Sequence, residues 1–489
     1  MQDVEVHVER NISEEGAKMQ DMTAKKKTKD LTEGKPMKQI LSFGLPLLFG
    51  MLFQQLYNMV DTIIVGQLKG VNSLAAVGAT GCINFMIIGF CMGVCNGFAI
   101  PVAQTFGAKK IDDMKRYITN SVWTSVFFAT VLTAVVGVLT RQILIWMNTP
   151  ETIIDESYSY IFIIFMGIPA TFLYNMVSGI LRSLGDSVTP LVFLIFSSVF
   201  NIILDLILVP PMGVAGAAVA TVTAQAVSGI VSLVFFVYKF KYLKFTKEDW
   251  KLRMGYAWQL CSMGVPMGLQ YSITAIGSVI LQTAVNGLGE LYVAAMAAAV
   301  KINMFLCCPF DAMGSTMATY GGQNVGAGRL DRVDEGLKDC IKLGFLYSIL
   351  TLVFLLIAGR SLALLFVKPE ETELIENIYI YLVGNGAAFF LLALVNIVRF
   401  MIQGLGYSGL AVLAGVCEMF ARAFAGFYLV PRFGYLFVAL ASPLAWLCAD
   451  CFLIPAYLYV MKRLRNRIPQ TAETQNMENP AKLFDTAAG

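Results

Sequence analysis

The chain has 489 residues, of which 57% are hydrophobic and only 14% are charged, and its formal net charge is +3. Soluble globular domains carry roughly 25% charged residues, so this composition excludes a soluble fold and indicates a chain that lies mostly in lipid. We expect the lipid bilayer as its surroundings and no nucleic-acid partner.

Twelve long apolar runs follow one another along the chain. They begin near residues 40, 73, 117, 157, 189, 214, 256, 291, 338, 376, 409 and 434. A helix needs about 20 apolar residues to cross the hydrocarbon core. These runs are continuously apolar, whereas the strands of a membrane barrel would alternate. The sequence therefore predicts an all-α membrane protein with twelve transmembrane helices, which we number spans 1 to 12.

A diverged repeat divides these spans into two halves. Residues 104–112 return as residues 323–331, each copy with the pattern Gln-x-x-Gly-Ala, and further matches keep nearly the same offset. Collinear matches at one offset indicate a duplication, which is how many membrane carriers are built. The predicted organisation is a disordered tail over residues 1–37, a first half over 38–238, a linker over 239–255, a second half over 256–462 and a second tail over 463–489.

The basic residues predict the orientation of the chain. Loops on one side, together with both termini, hold 25 lysines and arginines, among them Arg182 in the loop after span 4. The opposite loops hold only five. Because Lys and Arg are enriched in short cytoplasmic loops, we expect both termini in the cytoplasm.

Two carboxylates interrupt apolar spans of the first half. Asp61 in span 1 shares a helical face with Asn58 and Gln54, and Asp205 in span 5 shares one with Asn201. An ionisable group in the middle of a bilayer costs about 2.5 to 3.5 kcal/mol, so each needs a reason to be there. A facing pair could ligate a small cation or exchange a proton. The alternative is that each acid lies at a helix end in headgroup water.

Prolines and charges also mark the second half. Pro46 and Pro266 occupy matching places in the first span of each half, where a proline produces either a static kink or a hinge. The second half has its own charged candidates, which are Lys301, Asp311, Arg399, Glu418 and Arg422. Glu418 and Arg422 are four residues apart, so they can pair on one helical face.

Enzymatic function is not indicated. The single histidine, His7, lies in the first tail, and the ten cysteines lack metal-ligand spacing. A P-loop for ATP is also missing from the sequence. We therefore expect a transporter without a cofactor. A flippase for a lipid-linked substrate is the alternative, in which Lys301, Arg399 and Arg422 would hold phosphates.

The residues that surround the first acid resemble a known family, the multidrug and toxic compound extrusion transporters. The resemblance rests on Pro46 fifteen residues before Asp61, the stretch Val-Asp-Thr-Ile-Ile-Val-Gly over residues 60–66, the paired Gln-x-x-Gly-Ala turns, and Asn201 four residues before Asp205. It covers residues 38 to 462. The pattern is similar to that of the prokaryotic branch named after DNA-damage-inducible protein F.

This resemblance implies two six-helix bundles that form a V and export amphipathic, often cationic drugs by alternating access. The coupling proton or sodium ion would bind at Asp61, Asn201, Asp205 and Thr223, with Thr221 as the competitor for the last place. Supporting polar residues would be Tyr160, Asn175 and Ser178. It further implies a monomer in the prokaryotic inner membrane. Another branch has a coupling glutamate in span 7, where this chain reads Ile-Thr-Ala over residues 273–275, so coupling through the second half is not expected.

Overall fold

The computed structural model describes residues 29–147 and 149–466, and these residues are almost entirely helical, with no strand among them. Ten helices are individually long and apolar enough to cross a membrane, and two bent helix pairs supply the remaining spans. The bends are 45° in span 4 and 48° in span 10, the matching places of the two halves. Twelve spans are therefore present, as the apolar runs predict.

The spans have the following bounds. In the first half they are Pro36–Lys69, Gly81–Gly107, Ile111–Trp146, the pair Ile154–Met166 and Ile168–Ser183, Val188–Met212 and Val214–Lys239, with a short helix Val71–Ala79 before span 2. In the second half they are Met254–Asn286, Glu290–Gly326, Leu330–Ala363, the pair Thr372–Gly386 and Phe389–Gly404, Ser408–Phe424 continued by a π-helix Ala425–Leu429 and a short helix Val430–Phe433, and Tyr435–Arg465. The linker contains a 3₁₀ helix, Lys241–Leu243.

The backbone repeats together with the sequence. Gly185 and Gly406 both follow the fourth span of their half with positive φ, 82° and 95°. Gly213 and Gly434 both separate the fifth and sixth spans, at 66° and 74°. Glycine adopts this left-handed conformation without the steric cost that other residues meet. The duplication therefore preserved the turns that direct each chain half back across the membrane.

The two halves meet through spans 2 and 7, and their backbones touch at glycines. A Cβ atom built on Gly97 would lie 2.4 Å from the Cα of Gly264, and one on Gly93 would lie 2.5 Å from the carbonyl oxygen of Met267. Gly93 and Gly97 are four residues apart, as are Gly264 and Gly268. Small residues at this spacing allow membrane helices to approach closely.

The repeated Gln-x-x-Gly turns close one side of the molecule, which we call the basic side because both described termini and the basic loops lie there. Gln104 donates a hydrogen bond to the carbonyl oxygen of Gly404 at 2.9 Å, and Gln323 donates to that of Ser183 at 2.8 Å. Each glutamine thus binds the end of span 4 or span 10 in the opposite half. The repeat unit provides the same contact twice.

The predicted first tail, residues 1–37, extends too far along the chain. Residues 29–34 pack against both halves, and span 1 begins at Pro36. Leu31 is fully buried, and its N–H donates to Gln323 Oε1 at 3.0 Å. Arg329 donates to the carbonyl oxygen of Thr32 at 2.7 Å, and Arg332 to that of Gly34 at 2.8 Å. We call residues 29–34 the N-terminal strap. The rest of this tail, and residues 467–489 of the other, lie outside the described residues.

Candidate functional site

The two acids of the first half face each other inside the bundle. Asp61 of span 1 and Asp205 of span 5 lie within hydrogen-bonding reach of each other. Asp205 is 1% exposed, and no side-chain or backbone donor in the described residues reaches its two oxygens. The hydrogen-bonding surroundings turn the Asn201 amide nitrogen toward Asp61, at 3.0 and 3.1 Å from its oxygens. Among the described residues, this amide donor therefore serves both oxygens of Asp61 and neither oxygen of Asp205.

Tyrosines and a glutamine complete this acidic pocket. Tyr160 of span 4 lies near both acids, and Tyr57 lies near Asp61 and Gln54. The acids therefore lie in a polar enclosure within the first half, away from lipid. Such an enclosure has two chemical uses, because facing carboxyls share a proton readily and their oxygens are also suitable ligands for a small cation.

Asn58 does not join the pocket, although the sequence places it on the face of Asp61. Its side chain is exposed. An α-helix turns about 100° per residue. A residue seven positions away is therefore only about 20° off the face, whereas one three positions away is about 60° off. Gln54 is seven residues before Asp61 and therefore lies close to the same face of the helix. Asn58 is only three residues before Asp61, and its side chain is directed away from the pocket.

In span 6, Thr221 is the threonine beside this pocket. Its backbone N–H donates to the amide oxygen of Asn201 at 3.2 Å. Thr223 is two residues further on, about 200° round the helix, and it makes no hydrogen bond to these groups in the described part of the chain. Thr221, the alternative to Thr223 at this position, is therefore the threonine that contacts Asn201.

A central cavity lies between the halves, toward the basic side. Its lining combines both halves, through Pro46, Gln54, Asn96, Tyr174, Asn175, Arg182, Met267, Tyr271, Thr319 and Phe400 among others. Pro46 lies in the wall within a single continuous helix, and Pro266 precedes the lining residue Met267. Asn175 donates to the carbonyl oxygen of Thr171 at 2.8 Å, and Ser178 is buried near Tyr174. The expected supporting residues of span 4 thus divide between this cavity and the acidic pocket.

The sequence predicts Arg182 in the loop after span 4, but the structure places it inside the helix of that span. The helix of span 4 continues to Ser183, so Arg182 lies in its last turn and faces the central cavity. Its Nη2 donates to Asn96 Oδ1 at 2.9 Å. No carboxylate in the described residues lies within ion-pair distance of this guanidinium. The sequence signal for its position was Gly185, the turn residue that comes three positions after Arg182.

The second-half charges form a separate buried cluster. Glu418 accepts hydrogen bonds from Arg399 and, at 3.3 Å, from Arg422. Asp450 of span 12, which sequence reasoning missed, is 3% exposed near Arg399 and Glu418, and its two oxygens have no hydrogen-bond donor among the described residues.

The remaining candidates of the second half, Lys301 and Asp311, lie apart from this cluster. Lys301 is exposed. Asp311 accepts a hydrogen bond from Asn396 at 3.1 Å and lies near Tyr271 of the cavity wall. Among the described residues, no group of three or more His, Cys, Asp or Glu side chains could hold a metal ion.

Comparison with known proteins gives a consistent match. The MatE family model matches residues 46–207 and again residues 266–427. The chain is 29% identical over 351 residues to the probable multidrug resistance protein YpnP of Bacillus subtilis, covering 71% of this chain and 78% of that protein. It is 23% identical over 357 residues to a FAD transporter of Shewanella oneidensis, covering 72% and 78%.

Solved structures agree with the fold. One of them, an outward-facing conformation of a multidrug resistance MATE family transporter of the MOP superfamily, matches with a TM-score of 0.82. The match has 22% identity and covers 90% of this chain and 98% of that one. At this identity the likeness supports the architecture alone.

Proposed function

Because this chain belongs to the MatE family, we propose that it is an antiporter that exports amphipathic, often cationic organic molecules in exchange for a proton or a sodium ion. The name of the relative YpnP supports drug export, and its bacterial source supports a place in a prokaryotic cell membrane. The excess of Lys and Arg on the basic side supports cytoplasmic termini. We further propose that the chain works as a monomer.

The facing acids Asp61 and Asp205 carry this proposal. Two carboxylates in contact inside a bilayer repel each other, so a bound cation or proton stabilises them strongly. Loss of that ion gives the first half a reason to rearrange, because the uncompensated charges must separate or gain water. The free energy of ion binding is thereby available to drive a change between two states of the carrier.

The Asn201 amide can serve either coupling ion. With its nitrogen toward Asp61, it donates to that carboxyl group and its oxygen accepts the N–H of Thr221, which suits a proton shared between Asp61 and Asp205. With the amide turned round, its nitrogen reaches the Thr221 hydroxyl at 3.5 Å and its oxygen faces Asp61, where it adds a ligand for a sodium ion. The two ions are therefore distinguished by the separate gradients of the transport experiment.

Alternating access is supported by the closure of the basic side. The cross-contacts of Gln104 and Gln323 and the N-terminal strap join the halves there. We infer that these contacts close the central cavity toward the proposed cytoplasm in this state. In the proposed cycle these contacts break when the carrier takes up substrate from the cytoplasm.

The flippase alternative has less support. It requires cations in the central cavity, but Arg399 and Arg422 are paired with Glu418 in the second-half cluster. Neither arginine lines the central cavity. Lys301 is exposed elsewhere. The cationic groups on which that alternative relied are therefore neutralised or distant, and Arg182 is the only Lys or Arg among the described residues that line the cavity.

Transport by the purified protein in lipid vesicles tests the proposal. Vesicles loaded with the cationic dye ethidium receive a proton gradient or a sodium gradient, each imposed separately. Wild-type protein should move the dye under one gradient, and Asp61→Asn or Asp205→Asn should abolish that movement. Asp155→Asn is the matched control, because Asp155 is an exposed acid paired with Arg141. If wild-type protein moves dye under neither gradient, antiport of this cation is refuted.

A further inference from the structure

We propose that the basic-side end of the central cavity is an anion subsite, in which Arg182 binds the carboxylate or phosphate group of an aromatic substrate. This inference rests on the proposed transport function and adds acidic aromatic molecules to the cationic substrates named there. The subsite differs from the acidic pocket in position, charge and ligand. Its occupant is the transported molecule, whereas the acidic pocket binds the coupling ion.

The first argument is that Arg182 has spare donors. A guanidinium has five N–H groups, and one hydrogen bond from Nη2 to Asn96 accounts for one of them. None of its nitrogens is among the buried side-chain atoms without a partner, so the remaining N–H groups open into the cavity. The planar fork of an arginine fits the paired oxygens of a carboxylate or phosphate.

The second argument is that the nearby carboxylates are already engaged. Asp186, four residues along the chain, forms an ion pair with Lys239 and accepts a hydrogen bond from the N–H of Thr189 at 2.9 Å. Asp311 of the other half accepts a hydrogen bond from the neutral Asn396 and lies outside ion-pair distance of Arg182. An unpaired cation in a confined site is costly, so the charge of Arg182 is best compensated by an anion that comes with the substrate.

The third argument comes from the repeat. The residue of the second half that matches Arg182 is Gln403, 221 positions later. Gln403 is buried and donates to Gln270 Oε1 at 2.6 Å. One copy of the fold is therefore built with a neutral amide at this position. Since the architecture does not require an arginine there, the charge in the first half has another purpose.

The cavity also supplies a wall for a ring. Tyr174, Tyr271 and Phe400 line it together with Arg182, and the hydroxyl group of Tyr271 lies near the guanidinium. Aromatic side chains give large apolar contact areas to a flat ligand. The expected ligand therefore has an aromatic body with an acidic group at one end.

Equilibrium binding to the purified full-length protein in lipid nanodiscs tests this inference. The probes are 1-naphthyl phosphate, 1-naphthoate and 1-naphthylmethylammonium, which share one ring system and differ in charge. Binding is followed by the fluorescence of the naphthalene ring. The key variant is Asn96→Asp, which keeps the shape of the side chain and gives Arg182 an internal carboxylate. It avoids the unfolding that loss of the arginine could cause.

Wild-type protein should bind at least one anionic probe more tightly than 1-naphthylmethylammonium. Comparison of 1-naphthyl phosphate with 1-naphthoate then shows which acidic group is preferred. A hydrogen bond to a charged group contributes about 1.5 to 3 kcal/mol. Asn96→Asp and Arg182→Gln should therefore weaken anion binding by about tenfold to a hundredfold, with the cation unaffected or tighter. Arg182→Lys should lie between. Arg141→Gln, which removes an exposed arginine far from the cavity, should change nothing.

Two results would overturn the inference. One is unchanged anion affinity in Asn96→Asp, and the other is an equal loss for all three probes, which would give Arg182 a structural role. The measurement needs no ion gradient, so it is independent of the vesicle assay. Failure of ethidium transport would remove the proposed antiport and leave this binding result intact.

Discussion

The contact between Gly97 and Gly264 predicts that one added methyl group will open the basic side. A Cβ on Gly97 would lie 2.4 Å from the Gly264 Cα, whereas carbon atoms pack at about 3.5 to 4.0 Å. Gly97→Ala therefore requires a local separation of roughly 1 Å between spans 2 and 7. Overpacking of this kind costs about 1 to 3 kcal/mol, and the cost applies only to the state in which the spans touch.

This cost should shift the equilibrium between closed and open states by about five- to 150-fold toward opening. Hydrogen exchange of the N-terminal strap reports the change, because the N–H of Leu31 is bonded to Gln323 of the other half. Exchange followed by mass spectrometry should be faster in Gly97→Ala by a factor in this range.

Two alanine variants serve as controls for this experiment. Gly81 lies in span 2 and Gly255 in span 7, and a Cβ built on either meets no other atom within 4 Å. Gly81→Ala and Gly255→Ala should therefore leave exchange of the strap at the wild-type rate. If Gly97→Ala also exchanges at that rate, the glycine contact does not control opening and our account of the interface is wrong.

Three further predictions follow from buried charges and from the strap. Glu418→Gln leaves Arg399 and Arg422 without their shared acid, so it should lower the unfolding free energy by about 3 to 5 kcal/mol in denaturant titrations. Asp450→Asn should change that free energy by less than about 1 kcal/mol, because no described donor depends on the carboxylate; a loss as large as that of Glu418→Gln would contradict this. Arg332→Ala should speed exchange of the strap without altering binding of the naphthalene probes, and unchanged exchange would show that the strap is held by other contacts.

The architecture was predictable because lipid leaves a simple signature. Only continuous apolar runs can cross a bilayer as helices, so their number gave the number of spans. The duplication was equally readable, since Gln104 and Gln323 retained both their identity and their contact with the opposite half. These features depend on local composition and on spacing, which the sequence states directly.

The acidic pocket was predictable in part. An acid inside an apolar span needs a partner, and this requirement alone predicts that Asp61 and Asp205 face each other. Helical spacing could not decide which neutral residues join them. Asn58 and Thr223 each lie on the right helix, yet a rotation of 60° to 200° directs them away.

Asp450 was open to the same reasoning, because it is also an acid inside an apolar span, but it was missed. Arg182 and the N-terminal strap were harder to place, because the position of each depends on contacts between segments that are distant in the chain. Arg182 reads as a loop residue until the end of span 4 is known, and Leu31 reads as part of a polar tail until Gln323 is placed beside it. Tertiary contacts of this kind leave no periodic pattern.

The strap has a consequence for how such a carrier could be governed. Its hydrogen bonds to Gln323, Arg329 and Arg332 must be released whenever the two halves part on that side. In the proposed cycle, part of the work of each turnover is therefore done by a stretch of chain that lies outside the twelve spans and lines neither proposed ligand site. Any interaction that holds the strap in place, or keeps it away from its partners, would therefore slow or speed the proposed export without contact with the substrate or the coupling ion.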